Sequence, residues 1–255
     1  MELIKKQIHM NQWKGNVTTQ ITLDDDFIVP DTLDDMEQVM LDTGEIQIET
    51  VKNQGDKVAV KGKLEFQVLY RKESGGLQTL GGNIPFEEVV NVQGLEEKDY
   101  VGLNWMLEDL NTDMINSRKL GVQAIITLQV RVETLRDVEA AVDVDMENNS
   151  RPAGAGMSDT DGAGQVQVET LKRTANAAAI AVRRKDTYRI KEELSLTGGK
   201  PNIGQLLWRE MKLRDVTAKP LDGRLHLDGE LSVFVIYGAE DENMPVQWLE
   251  ETIPF

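Results

Sequence analysis

The chain has 255 residues and a mass of 28.6 kDa, with 40% hydrophobic, 28% charged and only 5% aromatic residues, the profile of a water-soluble protein with an aliphatic interior and room for one large domain or two ordinary ones. Zero cysteines exclude disulfides, thiolate nucleophiles and cysteine-based zinc sites, and fit a reducing compartment. The excess of 44 acids over 28 bases gives −16, which repels nucleic-acid phosphates and anionic lipid, while no apolar run is long enough to span a bilayer and no secretory signal opens the chain, so a cytoplasmic protein is expected.

In chain order, the first patterned stretch is Ile21–Phe27, ITLDDDF. Asp35 follows, with Gln38 three residues on and the apolar pair Val39/Met40 behind it, a spacing that predicts one short helix capped by Asp35. Between Lys57 and Tyr70 the apolar residues Val58, Val60, Leu64, Phe66, Val68 and Tyr70 alternate with polar ones, the period of a half-buried strand. Gly62 interrupts that run, where a bulge or a close strand crossing is expected. Glu73–Gly76 and Gly81–Gly82 read as hairpin turns. Val122, Ala124, Ile126, Leu128, Val130 and Val132 form a second alternating run. Residues 147–164, ENNSRPAGAGMSDTDGAG, lack the aliphatic side chains needed to offset ordering entropy and read as a flexible linker.

Beyond the linker the pattern returns at an offset of 167 residues. Gly62–Tyr70 (GKLEFQVLY) reappears as Gly229–Tyr237 (GELSVFVIY), Ile21–Phe27 as Tyr188–Leu194, and Asp35/Gln38/Val39/Met40 as Asn202/Gln205/Leu206/Leu207, which predicts a second short helix. Ile84-Pro85-Phe86 pairs with Ile253-Pro254-Phe255 once a two-residue insertion is allowed. The expected architecture is mainly β: two tandem antiparallel β-sandwich or open-barrel modules with one short helix each, residues 1–146 and 166–255 on either side of a linker at 147–165. The second module is incomplete, with no counterpart of Glu87–Val144, as in a fragment of a longer protein. Its unpaired edge or apolar face is expected to promote self-association. Charge divides the same way: residues 1–165 hold 30 acids and 15 bases, residues 166–255 hold 14 and 13, so a basic partner is expected on the first half.

The chemistry-bearing inventory is thin. His9 and His226 are the only histidines, and the rhythm around His226 places it on the polar face of a strand. Asp24-Asp25-Asp26 offers hard oxygen ligands for a divalent cation, but its counterpart Lys191-Glu192-Glu193 carries a lysine, which favours a solvated strand end. Met157–Gly162 fails as a calcium loop at its first and twelfth ligand positions, and Gly154-Ala-Gly156 lacks the third glycine of a dinucleotide loop. Asp143, Asp145 and Glu147 form an acidic strand end. No pair of carboxylates is nominated for hydrolysis, so catalytic residues, metal and cofactor are all absent from the expectation. Arg183, Arg184 and Lys185 are the one gathering of positive charge, suited to an acidic protein patch such as a neighbouring copy. Trp13, Trp105 and Trp248 are candidate interface anchors, and Trp208, behind Leu206 and Leu207, reads as core. A second function class also uses these rings: a carbohydrate- or peptidoglycan-binding β-sandwich that stacks sugars on exposed tryptophans.

The repeated GxLxxxVxY, the Ile-Pro-Phe that follows it, and Lys185–Glu193 with Lys200-Pro-Asn-Ile-Gly204 resemble the SPOCS repeat of SipL-like spore-coat morphogenetic proteins. The resemblance implies a non-enzymatic scaffold in spore coat assembly, with tandem SPOCS modules normally followed by LysM. It also implies binding to a SpoIVA-like coat ATPase, in the mother-cell cytoplasm at the forespore surface.

Overall fold

The computed structural model describes residues 2–145, 171, 173–174, 186–196, 198–240 and 245–255. The linker and the basic cluster Arg183, Arg184 and Lys185 lie outside the described residues. Nine strands are present among them: β1 (Glu2–Ile28), β2 (Met36–Asn53), β3 (Lys57–Lys72), β4 (Leu77–Asn91), β5 (Tyr100–Asn116), β6 (Lys119–Asp145), β7 (Ile203–Leu221), β8 (Arg224–Ala239) and β9 (Val246–Pro254). They form three antiparallel three-stranded sheets, ordered β1-β6-β5, β2-β3-β4 and β7-β8-β9. The mainly β expectation holds, and no sheet closes into a barrel.

The first two sheets face each other as a sandwich. The two alternating runs of the sequence are their central strands: Val58, Val60, Leu64, Phe66, Val68 and Tyr70 of β3 and Leu120, Val122, Ala124, Ile126, Leu128, Val130 and Val132 of β6 meet in one core. Period two puts every second side chain there, and each fully buried aliphatic contributes roughly 1.5–3 kcal/mol. Arg118, in the β5–β6 turn, fastens the crossover between the sheets. Its guanidinium donates to the carbonyls of Val29 (2.9 Å) and Leu33 (2.8 Å) and to the carboxylates of Asp31 (3.0 Å) and Asp35 (2.9 Å).

Neither predicted helix forms among the described residues. Asp35 is engaged by Arg118 rather than capping a helix, and strand β2 begins at Met36. The misleading signal has a physical source. Register slips between Met36 and Gln38 and again between Val39 and Leu41, so each step holds a bulged residue and breaks the alternation. Adjacent apolar residues such as Val39/Met40 then imitate a helical face. β7 slips at the equivalent steps, Ile203/Gln205 and Leu206/Trp208.

Gly81–Gly82 is also not a turn. Both residues lie inside β4, paired with Gln67 and Phe66. A Cβ on Gly82 would stand 2.7 Å from the Phe66 ring and 2.8 Å from that of Phe27, which meet edge to face at 4.5 Å, so glycine here serves packing. The turn read at Glu73–Gly76 does join β3 to β4, with Gly75 and Gly76 at φ of 90° and 82°.

The repeat extends to individual hydrogen bonds. The Tyr70 hydroxyl donates to the Asp34 carbonyl (2.9 Å) and the Tyr237 hydroxyl to that of Pro201 (3.2 Å), tying the chain before β2 and before β7 to the central strand. The amide of Glu73 donates to the carbonyl of Asp35 (3.0 Å), and that of Glu240 to the carbonyl of Asn202 (3.1 Å). Gly62 pairs with Phe86 and Gly229 with Phe255, and in both cases the ring covers the glycine so closely that a Cβ would meet it at 2.7 Å. The bulge expected at these glycines sits in the neighbouring strand: β2 slips at Ile48/Thr50 opposite Gly62, and β7 at Arg214/Thr217 opposite Gly229.

Among the described residues the second copy forms the single sheet β7-β8-β9, and Tyr188–Leu194, the counterpart of a β1 segment that pairs only with β6, has no strand structure. The sheet β7-β8-β9 rests against the outer side of β2-β3-β4. Leu69 and Leu77 meet Leu207, Trp208, Phe234 and Ile236, and the Thr79 hydroxyl donates to the Leu207 carbonyl. Trp208 is thus core, as its position beside two leucines implies.

The packing over Gly62 is directly testable. Gly62→Ala is expected to destabilise by about 1–3 kcal/mol through overpacking against Phe86 and the Gln47 carbonyl. Gly15→Ala, with nothing within 4 Å of the added Cβ, should change stability by about 0.5 kcal/mol or less. Urea denaturation of the two variants gives the comparison.

Candidate functional site

Chemistry-bearing side chains are dispersed over the first module. His9, on β1, contacts the Asp137 carboxylate across the strand pair, with both side chains largely exposed. His226 is exposed on β8, as the alternation around it implies. Asp24, Asp25 and Asp26 all lie in β1, where alternation sends Asp25 to the face opposite the other two. Asp24 accepts from Gln123 (3.2 Å) and Asp26 pairs with Lys119 (2.5 Å). Among the described residues no three metal-ligating side chains gather. Asp143 lies in β6, and Glu147 falls outside the described residues.

A polar cluster among the described residues is built around the buried carboxylate of Asp99, and sequence inspection does not single it out. Lys14 of β1 reaches into the loop between β4 and β5, donating to the carboxylates of Glu96 (2.8 Å) and Asp99 (2.8 Å) and to the Gly94 carbonyl (3.2 Å). The Asp99 side chain is fully buried and also accepts from the Glu96 amide (2.7 Å). Burial pushes the Asp99 carboxyl up, but the hydrogen bonds from Lys14 and the Glu96 amide outweigh it and hold it below the ordinary carboxylate range. The same bonds to Asp99 and Glu96 raise Lys14. Nothing in the local sequence links Lys14 with Asp99, and the position equivalent to Lys14 in the second copy is Ala181. The cluster closes one end of the sandwich and is a structural element.

The three candidate tryptophans are accessible, with 55% of Trp13, 47% of Trp105 and 56% of Trp248 exposed. They do not converge. Trp13 projects from β1 with the Arg131 guanidinium 5.8 Å above its ring, and it lines a shallow groove with Met10, Arg136 and Val138. Trp105, on β5, is in register with Leu128 at the margin of the sandwich. Trp248, on β9, has the most developed surroundings: Leu77, Phe234, Ile236 and Val246 join it around an apolar groove of about 410 Å³ edged by Gln247 and Glu250. Lys200 lies across the groove's edge, its ammonium 4.8 Å from the Trp248 ring and donating to the Trp248 carbonyl (2.5 Å). Leu77 comes from the first copy and the other apolar residues from the second, so the groove exists only because the two copies dock.

A family model described as SipL, SPOCS domain, matches residues 35–115 and 202–255. The chain belongs to this family. The two SPOCS matches begin at equivalent positions, Asp35 and Asn202, and the first runs through β2-β3-β4 and nearly all of β5 while the second covers β7-β8-β9. Membership of the SipL family makes this a sporulation-related protein. No curated protein and no solved structure matches the chain. Among the described residues no helix is long and apolar enough to cross a membrane.

The Lys14–Asp99 cluster gives the SPOCS sandwich a defined pH response. The lowered carboxyl stabilises the fold above the unfolded carboxylate value and loses that contribution as pH falls through the folded value. The raised lysine loses its own contribution only as pH rises through the folded lysine value. Asp99→Asn is expected to cost about 1–3 kcal/mol at neutral pH and to flatten the loss of stability below about pH 4. Melting temperatures of the variant and the parent across pH 2–7 check both effects.

Proposed function

We propose that the protein is a non-enzymatic scaffold of bacterial spore coat assembly, in which SPOCS sheets present surfaces to coat morphogenetic proteins. One observation carries the reading: the features that the two family-matched copies share are architectural. They are the glycine under a phenylalanine ring, the tyrosine bonded to the carbonyl before the first strand, and paired bulges at equivalent positions. The residues that could carry chemistry do not repeat. His9 aligns with Asn176, His226 with Ala59, and the Asp24–Asp26 run with one that starts with lysine. A family unit that keeps its framework and varies its polar residues is suited to displaying different contact surfaces on one fold.

Within this reading the Trp248 groove is the contact surface with the strongest anchor, since a half-exposed tryptophan in an apolar, two-sided groove is the usual centre of a binding hot spot. The partner is a coat ATPase of the SpoIVA type, met in the mother-cell cytoplasm at the forespore surface. Arg183, Arg184 and Lys185 add a basic stretch within the same second copy. The accessibility of Trp13, Trp105 and Trp248 meets the first requirement of the sugar-binding alternative, while Arg131 and Lys200 already occupy one ring face each of Trp13 and Trp248.

Mixing the chain with purified coat ATPase and following the two by size-exclusion chromatography tests the proposal. Co-elution that weakens at least about tenfold in Trp248→Ala is expected. Separate elution of the parent protein would remove the partner assignment, and binding of soluble peptidoglycan fragments in its place would favour the alternative.

A further inference from the structure

Strand register in the first copy places two exposed aromatic rings in one row. Trp13 of β1 and Tyr100 of β5 are both partnered with Glu133 of β6, on either side of that central strand. Val132 and Thr134, the neighbours of Glu133, are buried in the sandwich, so Glu133 and its two partners face outward. Trp13 is 55% exposed and Tyr100 is 50% exposed. Their strands are two spacings apart, roughly 9–10 Å, which leaves room for one further ring between them in contact with both.

The rows that follow on the same face are suited to hydroxyl groups. Arg131 lies over one face of the Trp13 ring and donates to the Gln129 side-chain oxygen (3.1 Å), which also accepts from Asn104 (3.5 Å). One row further, Gln20 donates to the Thr127 hydroxyl (3.3 Å). Thr18, Gln129 and Asn104 make up the first of these rows, and Met106 completes the second; neither row contains a charged residue. Amide and hydroxyl side chains donate and accept alike, and here they are already ordered by one another. The outward face of β2-β3-β4 is built differently, with the ion pairs Lys61–Glu87, Lys63–Glu65 and Arg71–Glu37. Gly102 on β5, in register with Arg131, leaves a notch beside Tyr100, since a Cβ there would stand 3.6 Å from that ring.

We propose that this face binds a neutral polysaccharide, with one sugar held between Trp13 and Tyr100 and the next sugars laid over the rows of Gln129 and Thr127. A sugar ring presents C–H faces to the two aromatic rings and hydroxyls around its rim to the amides and hydroxyls below. Arg131 and Glu133 balance in charge and the next two rows carry none, so the complementary polymer is uncharged. The site lies wholly within the first copy, on a different sheet from the Trp248 groove. It adds a glycan contact to the scaffold reading without resting on it, and loss of either contact leaves the other intact.

Native gel electrophoresis of the full chain through gels containing hydroxyethylcellulose, glucomannan or arabinoxylan tests the proposal, with carboxymethylcellulose as the anionic comparison. Retardation is expected in at least one neutral polymer and not in the anionic one. Trp13→Ala and Tyr100→Ala should each weaken the affinity by about three- to tenfold, and Trp248→Ala should leave it unchanged. Circular dichroism identical to that of the parent establishes that the variants keep their fold. Free migration of the parent in all three neutral gels, equal retardation in carboxymethylcellulose, or indifference to both Trp13→Ala and Tyr100→Ala would overturn the assignment. Loss of binding in Trp248→Ala would overturn it by moving the sugar to the groove, and a dimer dissolved by Trp13→Ala would overturn it by giving the face to a second copy.

Discussion

A three-stranded sheet with aliphatic side chains on one face is stable only when that face is covered. The first copy meets the requirement internally, with β3 and β6 supplying facing aliphatic rows and Arg118 holding the crossover that brings the two sheets together. The second copy has the same three strands in the same register, down to Leu213 opposite Leu231 where the first has Ile46 opposite Leu64. It has no second sheet among the described residues. Its outer side packs against the first copy, and the composite Trp248 groove forms along that contact.

Inside each sheet, small local devices keep a long strand in register without a helix or a disulfide. The central tyrosine reaches back to a carbonyl before the first strand, and the Ile-Pro-Phe ring lies on the central glycine. Paired bulges at the start of β2 and β7 add twist and move side chains between faces. Each device needs only one or two residues of a given type, which is why so short a signature as GxLxxxVxY with Ile-Pro-Phe identifies the module.

The polar chemistry follows a different logic. The Lys14–Asp99 cluster, built on one buried carboxylate, and the half-buried Arg118 guanidinium close the ends of the first sandwich. Several of these positions are altered in the second copy: Ala181 stands at the position of Lys14, Gly198 at that of Asp31 and Asn202 at that of Asp35. In the second copy Lys200 turns to the exposed edge of β9, where it lies over the Trp248 ring and donates to its carbonyl. An ammonium over an edge carbonyl also discourages unwanted strand addition.

Alternation and self-similarity are legible from residues alone: the central strands, the 167-residue repeat, the family and the core position of Trp208 all follow from period-two spacing and identity of type. The two helical signals mislead because a β-bulge places apolar residues side by side as a helix does, and a linear pattern cannot tell them apart without the partner strand. Gly81–Gly82 misleads because the need for glycine comes from Phe27 and Phe66, distant in sequence. The candidate tryptophans can be named but not grouped, since Phe234 and Lys200 meet Trp248 only through the folding of the second sheet and Leu77 joins them only when the two copies dock. Periodicity along one strand thus determines which side of it is apolar, a local property of the backbone pleat. Which sheet covers that side depends on contacts between distant segments and was decided only by the tertiary structure.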